Sequence, residues 1–171
     1  MANKKLRLLV YTAFFMALTA VTTAVVKIPS GKGYIHVGDA INYLGSVILP
    51  FPFGIASGAV GGALSDAMLG YYAYVIPTLI IKAFNSSMFY ILKAQGKKII
   101  SIRSIIALIL TSFVTVIGYY FVGVILYGGF KAQLIATVPD NAIQALGSAL
   151  IFIILGIAFD KSKVVSRLSL K

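Results

Sequence analysis

Long uncharged runs separated by short charged segments dominate the chain. The runs cover residues 8–26, 40–65, 67–81, 83–92, 104–130 and 141–159. A helix that spans a membrane needs roughly 17–25 mostly apolar residues. The first, fifth and last runs are therefore each long enough to predict one spanning helix.

The middle of the chain, residues 40–92, is almost continuously apolar and too long for one crossing. Pro50 and Pro52 interrupt it once, because proline breaks the helical hydrogen-bond ladder. The segment Gly70-Tyr71-Tyr72 interrupts it again, with tyrosines that suit a membrane interface. We predict an all-α membrane protein with one transmembrane domain over residues 1–171. Its six helices are predicted at 6–26, 38–50, 53–70, 74–92, 104–127 and 140–159.

The basic residues predict the direction of these helices, since cytoplasmic segments carry an excess of Lys and Arg. Six spans with a cytoplasmic N-terminus place eleven of the 15 basic residues inside. These are Lys4, Lys5, Arg7, Lys93, Lys97, Lys98, Arg103, Lys161, Lys163, Arg167 and Lys171. Lys27, Lys32 and Lys131 fall outside, and Lys82 falls within the membrane. Five spans would put the 93–103 cluster outside, and four would leave a long apolar stretch unassigned, so we prefer six with both termini cytoplasmic.

Composition supports a membrane protein. Hydrophobic residues make up 60% of the chain and charged residues 11%, and the mean hydropathy is +0.98. An ordinary soluble domain is about 45–50% apolar and about 25% charged.

The N-terminal run is longer than the core of a usual signal peptide and has no A-x-A cleavage site, so we expect it to be retained.

The inventory of reactive side chains is poor for catalysis. The chain has four acidic residues, one histidine and no cysteine. A metal site needs clustered ligands, and a hydrolase needs a nucleophile beside a base. We therefore predict no enzyme, no catalytic residue, no metal and no cofactor.

The net charge of +11 comes from basic residues in short clusters between uncharged runs. A nucleic-acid-binding domain instead carries its basic residues along one face, so we predict no nucleic-acid partner.

Several polar side chains fall inside the predicted spans. An ionisable group at a helix centre costs on the order of 2.5–3.5 kcal/mol on the insertion scale, so it needs a partner or a function. Lys82 lies about 12 Å below the outer surface at 1.5 Å per residue, and Asn85 shares its face at i+3. Asp66 lies about one turn below the outer end of the third helix, and Asn141 and Gln144 lie in the first outer turns of the sixth. All five lie in the outer half, which predicts a polar pocket that opens outward.

Simpler roles stay open for these residues. Lys82 could form an internal ion pair with Asp66. Asn141 and Gln144 could cap and pack the start of their helix.

The loop GKGYIHVGDA precedes the second helix. His36 is favoured as a solvated loop residue. If the loop instead folds over the pocket as a lid, Tyr34, His36 and Asp39 would be well placed to contact a ligand. Tyr74, like the tyrosines at 34, 43, 71 and 72, could stack on a flat ring, although anchoring at the membrane interface is the alternative.

Two stripes of small residues allow close approach of helices. One stripe is Ala13, Ala17, Ala20 and Ala24 on the first helix, and the other is Gly54, Gly58 and Gly62 on the third. We favour packing inside the bundle for the glycines. The alanines stay open between internal packing and a partner interface, because the first helix is expected at the edge of the bundle.

Together these features resemble a substrate-binding S-component of an energy-coupling factor (ECF) vitamin transporter. The resemblance covers nearly the whole chain. Its most specific part is GYIHVGDAINYLGSVILPFPFGIASGAVGGALSDAMLGYYAYVIPTLIIKAFN, with GD at 38–39, a glycine run ending in Asp66, and P-x-x-x-x-K ending in Lys82. It implies a pocket for a vitamin or precursor near the outer surface, lined by the first loop and helices 4 to 6.

The resemblance also implies partners and a location. The alanines of the first helix would dock on a membrane T-component, which is joined to two cytoplasmic ATPases in a prokaryotic cell membrane. Independently, the chain lacks the nucleotide-binding pattern G-x-x-x-x-G-K-[ST]. The energy for transport must therefore come from a partner or a gradient.

The substrate is less closely defined by the sequence. The subgroup that the chain most resembles implies riboflavin, hydroxymethylpyrimidine or pyridoxine. Lys82 flanked by amides suits ring hydroxyl or phenolate oxygens, which favours pyridoxine or a related pyrimidine over riboflavin. The chain has no tryptophan, so it differs from the aromatic pocket expected for thiamin. The rival hypotheses are a self-sufficient secondary transporter or channel that uses Lys82 and Asp66, and a structural subunit that binds no ligand.

Overall fold

The computed structural model describes residues 2–30, 33–96 and 98–168. These residues form eight α-helices and one antiparallel β-hairpin. The helices are α1 (Ala2–Val25), α2 (Gly38–Ile48), α3 (Phe53–Met68), α4 (Tyr72–Ile91), α5 (Ile102–Tyr127), α6 (Phe130–Ala136), α7 (Val138–Lys161) and α8 (Val164–Leu168). The hairpin pairs β1 (Lys27–Ser30) with β2 (Gly33–His36) between α1 and α2. Three basic residues used for the predicted topology, Lys32, Lys97 and Lys171, lie outside the described residues.

The prediction of an all-α fold is confirmed, and each of the six predicted helices corresponds to one of α1, α2, α3, α4, α5 and α7. The hairpin and the short helices α6 and α8 were not predicted. Three described segments are long and apolar enough to cross a membrane: Lys4–Val25, Ile102–Tyr127 and Phe130–Lys161. By contrast, α2 has 11 residues and α3 has 16, so both are shorter than an ordinary spanning helix.

The breaks between the middle helices lie where proline and glycine predict them. Pro50 and Pro52 occupy the turn between the end of α2 and the start of α3. Gly70, between α3 and α4, has a φ of +80°. Glycine adopts this left-handed conformation without steric cost, so the chain can reverse sharply there.

Helix α2 lies in the middle of the bundle. All of its residues are buried, and it contacts α1, α3, α4 and α7. The ring of Tyr43 on α2 packs with the rings of Phe89 on α4 and Phe152 on α7, with centroids 5.6 to 6.2 Å apart. A buried helix has no access to water, so its polar side chains must find partners on neighbouring helices.

The glycine stripe of α3 packs inside the bundle, as predicted. Gly54, Gly58 and Gly62 are buried. A Cβ atom at Gly58 would overlap the side chain of Asn42 on α2, and one at Gly62 would lie 3.0 Å from Cγ of Lys82 on α4. The absence of side chains on this face therefore makes room for polar side chains from α2 and α4.

The two ends of the bundle differ in character. The hairpin end carries the β-hairpin and the start of α2, α4 and α7. The basic end carries exposed basic residues: Lys93 and Lys98 between α4 and α5, Arg103 in the first turn of α5, Lys161 at the end of α7, and Lys163 after it. The segment between α4 and α5 is held to α7 because Asp160 accepts hydrogen bonds from the backbone N–H groups of Ile99 and Ile100, at 2.7 and 3.0 Å.

Candidate functional site

A buried ion pair joins α4 to α2 near the hairpin end. Nζ of Lys82 lies 2.6 Å from Oδ1 of Asp39, and the two side chains are 2% and 1% exposed. Asp39 lies in the first turn of α2, where the helix dipole favours a negative charge. The hydrocarbon stem of Lys82 passes over Gly62, which lets its ammonium group reach α2.

Gln144 of α7 connects this ion pair to the hairpin. Its Nε2 donates to Oδ2 of Asp39 at 3.1 Å, and its Oε1 accepts a longer hydrogen bond, 3.4 Å, from the backbone N–H of His36. Ser148, one turn further along α7, donates to the carbonyl of His36 at 3.4 Å. One amide side chain therefore holds together β2, α2 and α7.

The hairpin covers this polar cluster, which we define as His36, Asp39, Lys82 and Gln144. His36 is 7% exposed, so its interpretation as a solvated loop residue is wrong. Its Nδ1 accepts a hydrogen bond from the N–H of Gly38 at 3.2 Å, which fixes the ring at the start of α2. Burial lowers the pKa of His36 to about 4; the Asp39 carboxylate opposes this shift and the Lys82 ammonium adds to it.

We expect acid to destabilise the protein through His36. Above its ordinary pKa of 6.5 the ring is neutral in both the folded and the unfolded chain. As the pH falls from 6.5 toward 4, the unfolded chain binds a proton that the folded chain does not, so stability is lost. At pH 5 this loss is about 2 kcal/mol.

Thermal unfolding of the detergent-solubilised protein at pH 7.5 and pH 5 measures this loss. The variant His36→Gln has no imidazole, so its unfolding free energy should change less between the two pH values. An equal change in both proteins would show that His36 does not carry the effect.

Aromatic side chains border the polar cluster. The ring of Tyr119 on α5 lies under the ammonium of Lys82, with Nζ 5.2 Å from the ring centroid, a cation–π geometry. The hydroxyl of Tyr119 is 2.9 Å from Oγ1 of Thr78. The half-buried ring of Tyr74 lies 6.5 Å from that of Tyr119, and its hydroxyl donates to that of Tyr127 at 3.4 Å.

A second polar layer lies along the same buried face of α4. Asn85 donates through Nδ2 to Oγ1 of Thr115 at 2.9 Å, and Ser86 donates to Oδ1 of Asn42 at 2.7 Å. Two amide atoms in this layer, Nδ2 of Asn42 and Oδ1 of Asn85, are buried without a hydrogen-bond partner among the described residues. The layer thus offers the amide NH₂ group of Asn42 as a donor and the amide oxygen of Asn85 as an acceptor in the interior of the bundle.

Asp66 and Asn141 were also predicted at the site, and each makes other contacts. The alternative in which Lys82 pairs with Asp66 is wrong, because the ion-pair partner of Lys82 is Asp39. Asp66 is buried at the end of α3, and its carbonyl accepts a hydrogen bond from the N–H of Tyr71 at 2.8 Å. Asn141 donates to the carbonyl of Thr137 at the start of its own helix, at 2.8 Å, and no described side chain caps the N-terminus of α7. The backbone of Tyr34 pairs in β2, but its side chain lies outside the described residues.

The alanine stripe of α1 is divided between the surface and the interior. Ala13 and Ala17 are exposed and Ala24 is half-buried, whereas Ala20 is 4% exposed. The opposite face of α1 packs on α2 and α3 through Phe15, Thr19 and Thr23. Three of the four alanines therefore remain accessible to a partner.

Sequence reasoning missed the polar contribution of α5. Thr111, Thr115 and Tyr119 recur at i, i+4 and i+8 and so share one face of the helix. Thr111 and Thr115 are fully buried, while most of the remaining surface of α5 is apolar. That repeat in the sequence was the available signal for a buried polar stripe.

The groups gathered around Lys82 are suited to binding a small polar ligand. No described group of three His, Asp or Glu side chains lies close enough together to hold a metal ion. The charges of Lys82 and Asp39 balance each other, and the surrounding groups are amides, hydroxyls and aromatic rings. Such groups form directional hydrogen bonds and stacking contacts with a small polar ring.

The chain matches the family model described as the S component of the ECF-type riboflavin transporter over residues 3–161. No curated protein matches the chain. The matched region runs from α1 to the end of α7, so it includes the whole polar cluster and the alanine stripe. This match confirms the resemblance inferred from the sequence, and the chain belongs to the S-component family of ECF-type riboflavin transporters.

Proposed function

We propose that this protein captures a small water-soluble vitamin, or a vitamin precursor, at the hairpin end of the bundle. One observation carries the proposal: Asp39, Lys82 and Gln144, which are far apart in sequence, converge beneath the hairpin. Below them lie the donor of Asn42 and the acceptor of Asn85. A buried polar atom without a partner costs about 1–3 kcal/mol, so a ligand that pairs with these atoms gains affinity.

The charge distribution supports six membrane spans, formed by α1, α2, α3, α4, α5 and α7. The basic end then faces the cytoplasm with both termini, as the excess of Lys and Arg in cytoplasmic segments requires. The hairpin end faces outward and receives the vitamin. The short helix α2 is buried on every side, so its neighbours shield it from lipid. The membrane is the plasma membrane of a prokaryotic cell.

Pyridoxine and hydroxymethylpyrimidine are the first candidate substrates, and riboflavin, which the family description names, is the next. An ammonium group has three N–H donors, and one oxygen of Asp39 does not use them all. The remaining donors suit a ring hydroxyl or phenolate oxygen. Tyr119 and Tyr74 provide aromatic surfaces beside Lys82. The segment 34–39, which runs from β2 into the first turn of α2 and contains Tyr34 and His36, closes over the ligand as a lid.

Transport needs partners in this proposal. The S-component family implies a membrane T-component and two cytoplasmic ATPases. The sequence itself has no nucleotide-binding pattern G-x-x-x-x-G-K-[ST], so ATP must be hydrolysed by a partner. The exposed positions Ala13 and Ala17 on α1 support the alanine stripe as the docking face, since small residues let membrane helices approach closely.

A stability screen of the purified chain in detergent tests ligand capture. Pyridoxine, hydroxymethylpyrimidine and riboflavin are added separately, with thiamin as the comparison ligand. A vitamin at a hundredfold excess over its dissociation constant stabilises the protein by about 2.7 kcal/mol, which raises the thermal midpoint. If no candidate vitamin raises the midpoint, the proposal fails.

Transport in liposomes separates this function from a self-sufficient transporter or channel. Liposomes that hold the chain alone should bind the vitamin without accumulating it. Accumulation without ATPase partners would instead support the rival hypothesis, in which Lys82 and Asp66 relay ions.

A further inference from the structure

An apolar groove runs between α4 and α5 on the outer surface of the bundle. Its volume is about 470 Å³. Its lining includes Ile80, Phe84 and Met88 from α4 and Leu110, Phe113 and Ile117 from α5. Phe84 and Phe113 are 57% and 61% exposed, so the groove opens toward the surroundings of the protein.

The length of the groove suits a single lipid acyl chain. Ile80 and Met88 are eight residues apart on α4, which corresponds to about 12 Å along the helix axis. Half of the hydrocarbon core of a bilayer is about 15 Å thick. The groove can therefore hold most of one acyl chain that lies parallel to the helices.

Two basic residues, Lys93 and Arg103, lie beyond the lining of the groove on the side of the basic end, and we call this pair the charged mouth. Arg103 precedes Leu110 by seven residues, which places both on the same face of α5. Nη1 of Arg103 reaches the carbonyl of Lys93, just after α4, at 3.5 Å, so the guanidinium bridges the two helices that form the groove. Both side chains are exposed.

The segment 93–103, which includes the charged mouth, contains four basic residues and no Asp or Glu. Its net charge is therefore strongly positive. Asp160 of α7 packs against the segment. Its two carboxylate oxygens accept hydrogen bonds from Ile99 and Ile100.

We infer that the groove between α4 and α5 binds one anionic phospholipid. An acyl chain lies along the groove, and the phosphate of the headgroup contacts Arg103 and Lys93. Arginine and lysine are the side chains that bind phosphate most strongly, and basic pockets between membrane helices on the cytoplasmic side suit anionic headgroups. This site is separate from the polar cluster, because the groove opens to the outside of the bundle and its charged mouth lies at the other end.

Fluorescence quenching in vesicles tests this site, and the absence of tryptophan from the chain makes an introduced tryptophan a unique reporter. The variant Phe113→Trp places it in the groove. The reporter protein is reconstituted with phosphatidylglycerol or phosphatidylcholine brominated at the same acyl position. We expect phosphatidylglycerol to quench about threefold more strongly at equal mole fraction. Equal quenching by the two lipids would overturn the inference.

Two further variants test whether the preference for phosphatidylglycerol belongs to the groove and its charged mouth. Phe121→Trp puts the reporter on an exposed position of the same helix, nearer the hairpin end and outside the groove; here the two lipids should quench equally. Adding Lys93→Gln and Arg103→Gln to Phe113→Trp should remove the preference for phosphatidylglycerol. A preference at both reporter positions, or one that survives loss of both charges, would overturn the site. No vitamin is present, so the result does not depend on the proposed function.

Discussion

Replacing Lys82 with methionine lowers the free energy of unfolding by about 3–5 kcal/mol, because it leaves the Asp39 carboxylate buried without its cation. Asp39 is 1% exposed, so water does not take the place of the ammonium group. Methionine keeps most of the stem that packs over Gly62, so the change removes charge more than volume. Denaturant or thermal unfolding of the purified variant in detergent measures the loss.

Two variants make this result specific to the ion pair. Lys131→Met removes a lysine that is exposed, and its effect should stay within about 0.5 kcal/mol. The double variant Asp39→Asn with Lys82→Met leaves no lone charge, so it should lose less than the two single variants together. Full additivity, or a Lys82→Met protein as stable as the parent, would mean that the pair does not hold α2 to α4.

Gln144→Ala should weaken vitamin binding by tenfold or more, which corresponds to about 1.4 kcal/mol or more of binding free energy. The change removes the amide that bonds both Asp39 and the backbone of His36. The hairpin then loses its link to the ion pair, so it is held less firmly over the polar cluster, although the bond from Ser148 to the carbonyl of His36 remains. Titration of the purified variant with the vitamin found by the stability screen measures the dissociation constant.

Gln95→Ala is the matched control for this change. Gln95 also uses its amide to join two elements, since it donates to the carbonyl of Ser46 at 2.9 Å, but it follows α4 at the basic end. Its loss should leave the dissociation constant within about twofold of the parent value. If both variants weaken binding equally, the effect reflects general destabilisation and not a role of Gln144 at the site.

Six of the eight described helices could be predicted from sequence because each of the six is marked by a local signal. Apolar length identified α1, α5 and α7, and Pro50, Pro52 and Gly70 divided the middle segment correctly. The hairpin and α6 have few residues and no apolar run, so nothing in the hydrophobic pattern distinguishes them from loops. The packing of α2 in the centre also had no local signal, since an apolar helix can face either protein or lipid.

The sequence predicted the residues of the candidate site better than it predicted the contacts between them. Lys82 and Gln144 were expected in one half of the bundle, and the structure joins them through Asp39. The sequence could not select Asp39 over Asp66 as the partner of Lys82, because both were expected near the same end. The choice depends on the path of the lysine stem over Gly62, which is a property of packing in three dimensions.

Isothermal titration calorimetry of the purified chain, without T-component or ATPases, tests most directly whether the polar cluster receives a vitamin. We predict saturable binding of one molecule of pyridoxine, hydroxymethylpyrimidine or riboflavin per chain, with much weaker binding after Gln144→Ala. The absence of saturable binding for all three compounds would contradict ligand capture, as would binding that is unchanged in the Gln144→Ala protein.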